Sequence, residues 1–390
     1  MLLKRPAPHN DESLESYLVR VSTLNGYQKP YQFLSSLQRF LTNLDSSKYV
    51  PFPDGLHQFN PCHAKVSSKS RIHLIHALSQ LTFNEPVSLQ KLLINRAEGK
   101  FSPNTSALIR HDEVLPRSLL RTQPLLCPAC INEFGYARYQ WHFKGYEVCH
   151  IHNQTLVSNC QDCGATFDYT QHCLTSTCPN CSSTLCPLPA DTSSQSISSW
   201  LAGENIPPLP NVGKSYRWGL VHWWLHRNST LSSVAFYDYW QEWPQSFHRE
   251  LESDIEERFD LAPNESDQLT AKYVLGDYLF NSILLPSKDL QNNLLLKEII
   301  AYLDEHLWEQ NGKLANLKVS ALDICLFLGT SREQVAALYE QGLLSPSELY
   351  KPSTPPKVTA PAFILGDLFC LWVSDFQTPV FNRSSYVSRW

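Results

Sequence analysis

Near its N-terminus the chain alternates apolar and polar positions with a helical rhythm. Leu14, Tyr17, Leu18, Val21 and Leu24 recur at the spacing that makes one helix face apolar. Asn10-Asp11-Glu12-Ser13 stands just before them, offering a capping side chain and negative charge where the helix dipole is positive. Asn25-Gly26 breaks the run, and Pro30 opens a second one through Phe33, Leu34, Leu37 and Leu41. Helix, tight turn, helix is the outline of a helix-turn-helix, although periodicity alone fits an ordinary helical hairpin better. Further helices are expected over 71–81 and 86–96, with His73 and His76 partly exposed on the first of these.

The helical pattern returns after residue 215. Tyr216-Arg-Trp-Gly-Leu-Val-His-Trp-Trp-Leu225 predicts an aromatic helix suited to a core, and helices are expected over 272–283 and 289–308. In 319–338, Ser320 can cap one helix and Ser331 a second, with Leu328-Gly329-Thr330 as the turn. Ala321, Ile324, Val335 and Leu338 would form the small core between the two. In a DNA-binding version Ser331, Arg332 and Gln334 would face base edges or phosphates. With Glu333 and Glu340 opposing Arg332, protein docking is an equally good use. Residues 191–213 are rich in Ser and Pro and read as a connector, although Trp200-Leu201 suggests that it docks.

Composition narrows the class. The chain has 390 residues, 43% of them hydrophobic, enough for two or three cores, and a formal charge of −5. That charge disfavours a strong non-specific DNA grip of its own. No apolar run reaches membrane-spanning length, and Met1-Leu-Leu-Lys-Arg-Pro is not a secretory leader. A soluble cytoplasmic protein is expected.

The strongest chemical signal lies between Cys127 and Cys181. Cys127-Pro-Ala-Cys130, Cys149-His-Ile-His152, Cys160-Gln-Asp-Cys163 and Cys178-Pro-Asn-Cys181 form four knuckles. Each offers two soft ligands three positions apart, and eight such ligands suit two tetrahedral zinc ions. Pairing in chain order gives Cys127, Cys130, Cys149 and His152 for one ion, and Cys160, Cys163, Cys178 and Cys181 for the other. The intervening gaps are 18 and 14 residues, close to zinc-ribbon spacing. A cross-brace pairing uses the same eight ligands and stays open. His150 competes with His152, but a ligand adjacent to Cys149 closes a tetrahedron poorly. Four protein ligands per ion make both sites structural. Cys62, Cys325 and Cys370 are expected as core thiols, while Cys173 and Cys186 lack a paired cysteine.

Gly135-Tyr-Ala-Arg-Tyr-Gln-Trp-His-Phe-Lys-Gly-Tyr146 interleaves aromatic and basic residues. It could stack on nucleic acid, but small metal-bound segments need such aromatics for their core. No HExxH, GxSxG, deaminase signature or Gly-rich phosphate loop is present. Asp254, Glu256 and Glu257 read as a solvated helix face rather than a nuclease cluster. A non-enzyme is expected.

Taken together, Asp11-Glu-Ser-Leu-Glu-Ser-Tyr-Leu-Val-Arg-Val21, Asn25-Gly26, Leu115-Pro-Arg-Ser-Leu-Leu-Arg121, the first two knuckles, Gly135-Tyr136, Trp141-His142 and Leu156 resemble the TniQ/TnsD family of transposon target-selection proteins. Lys214-Ser-Tyr-Arg-Trp-Gly-Leu-Val-His-Trp-Trp224 and Tyr386-Val-Ser-Arg-Trp390 are similar to the branch found in CRISPR-associated transposons. The resemblance implies a head-to-tail homodimer attached to the Cascade effector with its crRNA. The implied contacts are the crRNA-processing endonuclease subunit and the adjacent backbone subunit. It also implies recruitment of an AAA+ transposition regulator, indirect contact with target DNA, two structural zinc ions per chain, and a bacterial cytoplasmic setting. An autonomous sequence-specific DNA binder is the alternative.

The expected architecture is therefore mostly α and multidomain. Residues 1–122 would form a helical, helix-turn-helix-like domain and 123–190 a tandem zinc-binding segment. Residues 191–214 would be a connector, and 215–390 a helical domain with a second helix-turn-helix-like unit near 319–341.

Overall fold

The computed structural model describes residues 2–46, 56–59, 61–63, 69–167, 174–228, 230–262, 269–286, 292–347 and 357–376. Cys173, the start of the helix expected over 289–308, and Tyr386–Trp390 lie outside the described residues. The chain divides into two compact units, Met1–Asp238 and Tyr239–Trp390. Helices predominate, with three small antiparallel sheets among the described residues.

The first unit begins with α1 (Leu14–Leu24) and α2 (Pro30–Leu44), followed by α3 (Lys69–Thr82) and α4 (Pro86–Gln90). Ser13 caps α1 by accepting from the Ser16 amide, and Pro30 starts α2, where a missing N–H costs nothing. Tyr17, Leu18 and Val21 of α1, Leu34 of α2 and Leu74 and Leu78 of α3 are fully buried in one cluster. Each of those helices therefore turns its apolar stripe inward.

The helix expected over 86–96 stops at Gln90. The chain then forms a sheet of β1 (Asn95–Ser102), β2 (Thr105–Arg110) and β3 (Glu113–Pro116), so the N-terminal part is not purely helical. The reason is tertiary. β1 is an edge strand of mixed polarity with no hydrophobic stripe of its own, whereas Leu108 of β2 pairs with Leu115 of β3 and both are fully buried.

The next helices are α5 (Pro128–Phe134), α6 (Thr192–Ala202) and α7 (Lys214–Arg227). The stretch read as a connector thus contains α6, capped by Asp191. Trp200 of α6 is buried and donates its indole N–H to the Pro210 carbonyl at 2.8 Å. Helix α7 packs on β3 and buries Trp218 and Trp223. Its His222, 7% exposed, lies between the Ser102 and Ser118 hydroxyls at 3.3 and 3.1 Å.

The second unit contains α8 (Gln245–Asp260), α9 (Ala271–Val274), α10 (Tyr278–Asn281), α11 (Leu294–His306) and α12 (Glu309–Gly312). It continues with β6 (Lys318–Ser320), α13 (Ala321–Phe327), α14 (Arg332–Glu340), β7 (Pro361–Ile364) and α15 (Leu365–Leu371). The remaining pair, β4 (Val148–Cys149) and β5 (Gln154–Thr155), belongs to the first unit. The single helix expected over 272–283 is broken into α9 and α10. Gly276 between them has φ +54, and the Arg258 guanidinium occupies the place a Cβ would take. Both α13 and α14 start with full capping boxes, Ser320 with Asp323 and Ser331 with Gln334. Cys370, expected in the core, is exposed, while Cys62 and Cys325 are half-buried.

Candidate metal centres

Local turns build each half-site. Cys127 caps α5, its sulfur accepting from the Cys130 amide at 3.5 Å, and Pro128 holds the first helical position. Gly135 ends the helix at φ 71, a left-handed conformation that glycine adopts without strain. Cys149 ends β4, which pairs with β5, and His152 stands in the turn between them. Paired backbone hydrogen bonds between Leu126 and Val157 bring this hairpin beside α5.

The result is one compact donor group. His152 Nδ1 lies 3.6, 3.2 and 3.5 Å from the sulfurs of Cys127, Cys130 and Cys149, and the Cys130 and Cys149 sulfurs are 3.4 Å apart. His150 is elsewhere, its Nδ1 against the Tyr146 hydroxyl at 2.5 Å. The second group is made from two similar turns. The Cys160 and Cys178 amides donate to the Ala165 and Ser183 carbonyls, both at 2.8 Å, and the residue after each second cysteine is left-handed, Gly164 at φ 68 and Ser182 at φ 63. Cys160 faces Cys181, and Cys163 faces Cys178, with 3.6 Å between sulfurs in each pair.

Both donor sets suit a zinc ion. Bonds of about 2.3 Å to sulfur and 2.0–2.1 Å to nitrogen imply tetrahedron edges of roughly 3.5–3.8 Å. The measured separations are close to that, and well beyond the roughly 2.05 Å of a disulfide. Within each group all four ligand atoms lie within 4.8 Å of one another, in the chain-order pairing. Among the described residues no third group of His, Cys, Asp or Glu assembles in this way.

Crowding of the sulfurs shows in their proton affinities. Hydrogen bonds from Cys127 and then Cys130 pull the Cys149 thiol far down, while hydrogen bonds with Cys127 and then Cys149, together with burial, push Cys130 far up. A cation bound there would replace the protons these sulfurs otherwise compete for. The first group is buried at all three cysteines. In the second, Cys163 and Cys181 are exposed, and hydrogen bonds from Ser183 bring Cys181 down to about 6.

One contact at the first group has no counterpart in the knuckle spacing. His152 Nε2 lies 2.7 Å from a carboxylate oxygen of Glu133 on α5.

The aromatic stretch between the first two knuckles is interior. Tyr139, Trp141, Phe143 and Tyr146 are at most 1% exposed, so their faces are not offered for stacking. The stretch also holds the start of α1. Tyr136 donates to Asp11 at 2.8 Å, Arg138 pairs with Asp11, and the Ser13 amide donates to the Ala137 carbonyl at 3.0 Å.

Ser331, Arg332 and Gln334 belong to the second unit and are exposed. Ser331 and Gln334 are engaged in the α14 cap, the Ser331 amide donating to Gln334 Oε1 at 3.2 Å, which leaves Arg332 as the outward group. Asp254 accepts from the Tyr278 hydroxyl at 2.8 Å, while Glu256 and Glu257 face solvent from α8. No helix among the described residues is long and apolar enough to cross a membrane.

Residues 3–156 match the family model TniQ. That span runs from before α1 through the first donor group, and thus covers the segments just shown to be joined. None of the curated proteins compared matches the chain. Over residues 3–156, about two-fifths of its length, the chain is thus similar to the TniQ family.

Proposed function

We propose that this protein is a non-enzymatic adaptor in RNA-guided DNA transposition. The TniQ match over residues 3–156 carries the reading. In this role the chain acts as a head-to-tail homodimer in the bacterial cytoplasm. It binds the Cascade effector at the crRNA-processing endonuclease subunit and the adjacent backbone subunit, and helps recruit an AAA+ regulator with its transposase. Each donor group holds a structural zinc ion, since four protein ligands leave no coordination position for water or substrate.

Charge favours docking through protein. Residues 1–238 contain 20 Lys and Arg against 16 Asp and Glu, and residues 239–390 contain 12 against 21. The unit with the α13–α14 pair is thus net −9, poorly suited to collecting phosphate contacts. In this reading α13–α14 is a helix-turn-helix-like unit used for protein docking. The competing reading is an autonomous DNA binder that uses the exposed Arg332 at the start of α14.

Purifying tagged protein with Cascade and guide RNA, beside a DNA mobility-shift assay of the protein alone, separates the two. The adaptor reading expects stoichiometric capture, two copies per complex, and no sequence-specific shift. A tight, specific shift without Cascade overturns it.

A further inference from the structure

We propose that Glu133 is a positioning residue for the first metal group, holding His152 so that Nδ1 is the ligand atom. This deepens the reading that each donor group holds a metal ion, and it rests on that reading. A neutral imidazole carries one N–H, and an ionised carboxylate only accepts. The 2.7 Å contact between His152 Nε2 and Glu133 therefore assigns the proton to Nε2. The Nδ1 lone pair is left facing three sulfurs, 3.2–3.6 Å away.

The position follows from α5. Cys127, Cys130 and Glu133 are three residues apart, so the helix start presents two thiols and a carboxylate along one side. The Phe134 ring lies beside the His152 ring, with centroids 6.0 Å apart and the planes tilted by 50°. The Glu133 side chain is 57% exposed and makes no other polar contact among the described residues, so removing its carboxylate leaves the core untouched. The second group, all cysteine, has no imidazole to orient and serves as an internal control.

The test uses the full chain, purified with zinc, as wild type, Glu133→Ala, Glu133→Gln and Glu133→Asp. Zinc release to a chelator is followed with time, and the Cys163→Ser background identifies which phase belongs to the first group. Glu133→Ala is expected to speed first-group release about 10–100-fold and leave the other phase unchanged. Glu133→Gln and Glu133→Asp, which keep an acceptor, should fall between Glu133→Ala and wild type. Nitrogen-resolved NMR of the histidine rings should show a slowly exchanging Nε2 proton on His152 that Glu133→Ala loses. Two bound ions with both phases and the ring proton unchanged in Glu133→Ala overturn the proposal while leaving metal binding intact. A wild-type chain that retains no zinc overturns both.

Discussion

The backbone amide of Ala137 donates to the Ser16 hydroxyl of α1 at 2.7 Å, although 121 residues separate them. With the bonds of Ser13 and Asp11 to the same stretch, this fixes the first helix to the loop between the first two knuckles. Ser16 is fully buried, so Ser16→Ala leaves the Ala137 N–H without an acceptor. A cost of about 1–3 kcal/mol is expected in urea unfolding, with faster amide exchange confined to 136–139 and the first turn of α1.

Glu12 is fully buried and held by Arg20 through two hydrogen bonds of 2.9 and 2.6 Å. Arg20→Ala removes the charge partner of that carboxylate, leaving it the His9 amide and the Ser16 hydroxyl at 3.1 and 3.4 Å, and should destabilise the first unit by about 3 kcal/mol. Combining it with Glu12→Gln should recover much of the loss. A double mutant as unstable as Arg20→Ala alone would show that packing, not charge, dominates.

Burial, and then neighbouring His226, push His222 down to about 4 from an ordinary 6.5. The unfolded chain therefore binds a proton between pH 6.5 and 4 that the native state refuses, and stability falls as pH drops through that window. The contribution is fully present above about pH 6.5 and reaches a loss of order 3 kcal/mol below the folded value. His222→Gln should flatten the wild-type decline between pH 7 and 4.5 in equilibrium unfolding. Parallel curves for the two proteins would contradict this.

The two donor groups should differ in their hold on the fold. Cys127, Cys130 and Cys149 are buried beside the aromatic stretch, whereas Cys163 and Cys181 are exposed. Cys130→Ser should lower the melting temperature markedly and make the α1 region sensitive to protease. Cys181→Ser should open only the turns around 159–185. Chelator should take the ion from the second group first, read as protease sensitivity there before any change near α1.

At the α14 cap, Ser331→Ala should cost about 1 kcal/mol, because its hydroxyl accepts from the Gln334 amide at 3.3 Å. Arg332→Ala should leave stability unchanged. If Arg332→Ala weakens capture by Cascade without altering melting, the outward face of α14 is a docking surface. A loss of DNA binding in its place would favour the autonomous reader.

Short-range chemistry made much of this protein legible from its sequence. Ser13, Pro30, Ser320 and Ser331 mark helix starts because capping acts within three residues, and the knuckles declare themselves because two ligands must fit one turn. The 3.6-residue rhythm likewise marks the faces of α1 and α2. What the tertiary structure decided depends on segments far apart in the chain. It brought Cys127 and Cys130 to Cys149 and His152, and turned His150 to Tyr146. It also placed Glu133 behind His152, and drew 95–116 into a sheet whose edge strand has no apolar stripe to announce it. Gly276 breaks a helix with a left-handed φ of 54, and the guanidinium of Arg258, 18 positions earlier, fills the space beside it. Spacing reports what one turn of chain requires, whereas burial and partner choice are set only when distant surfaces meet.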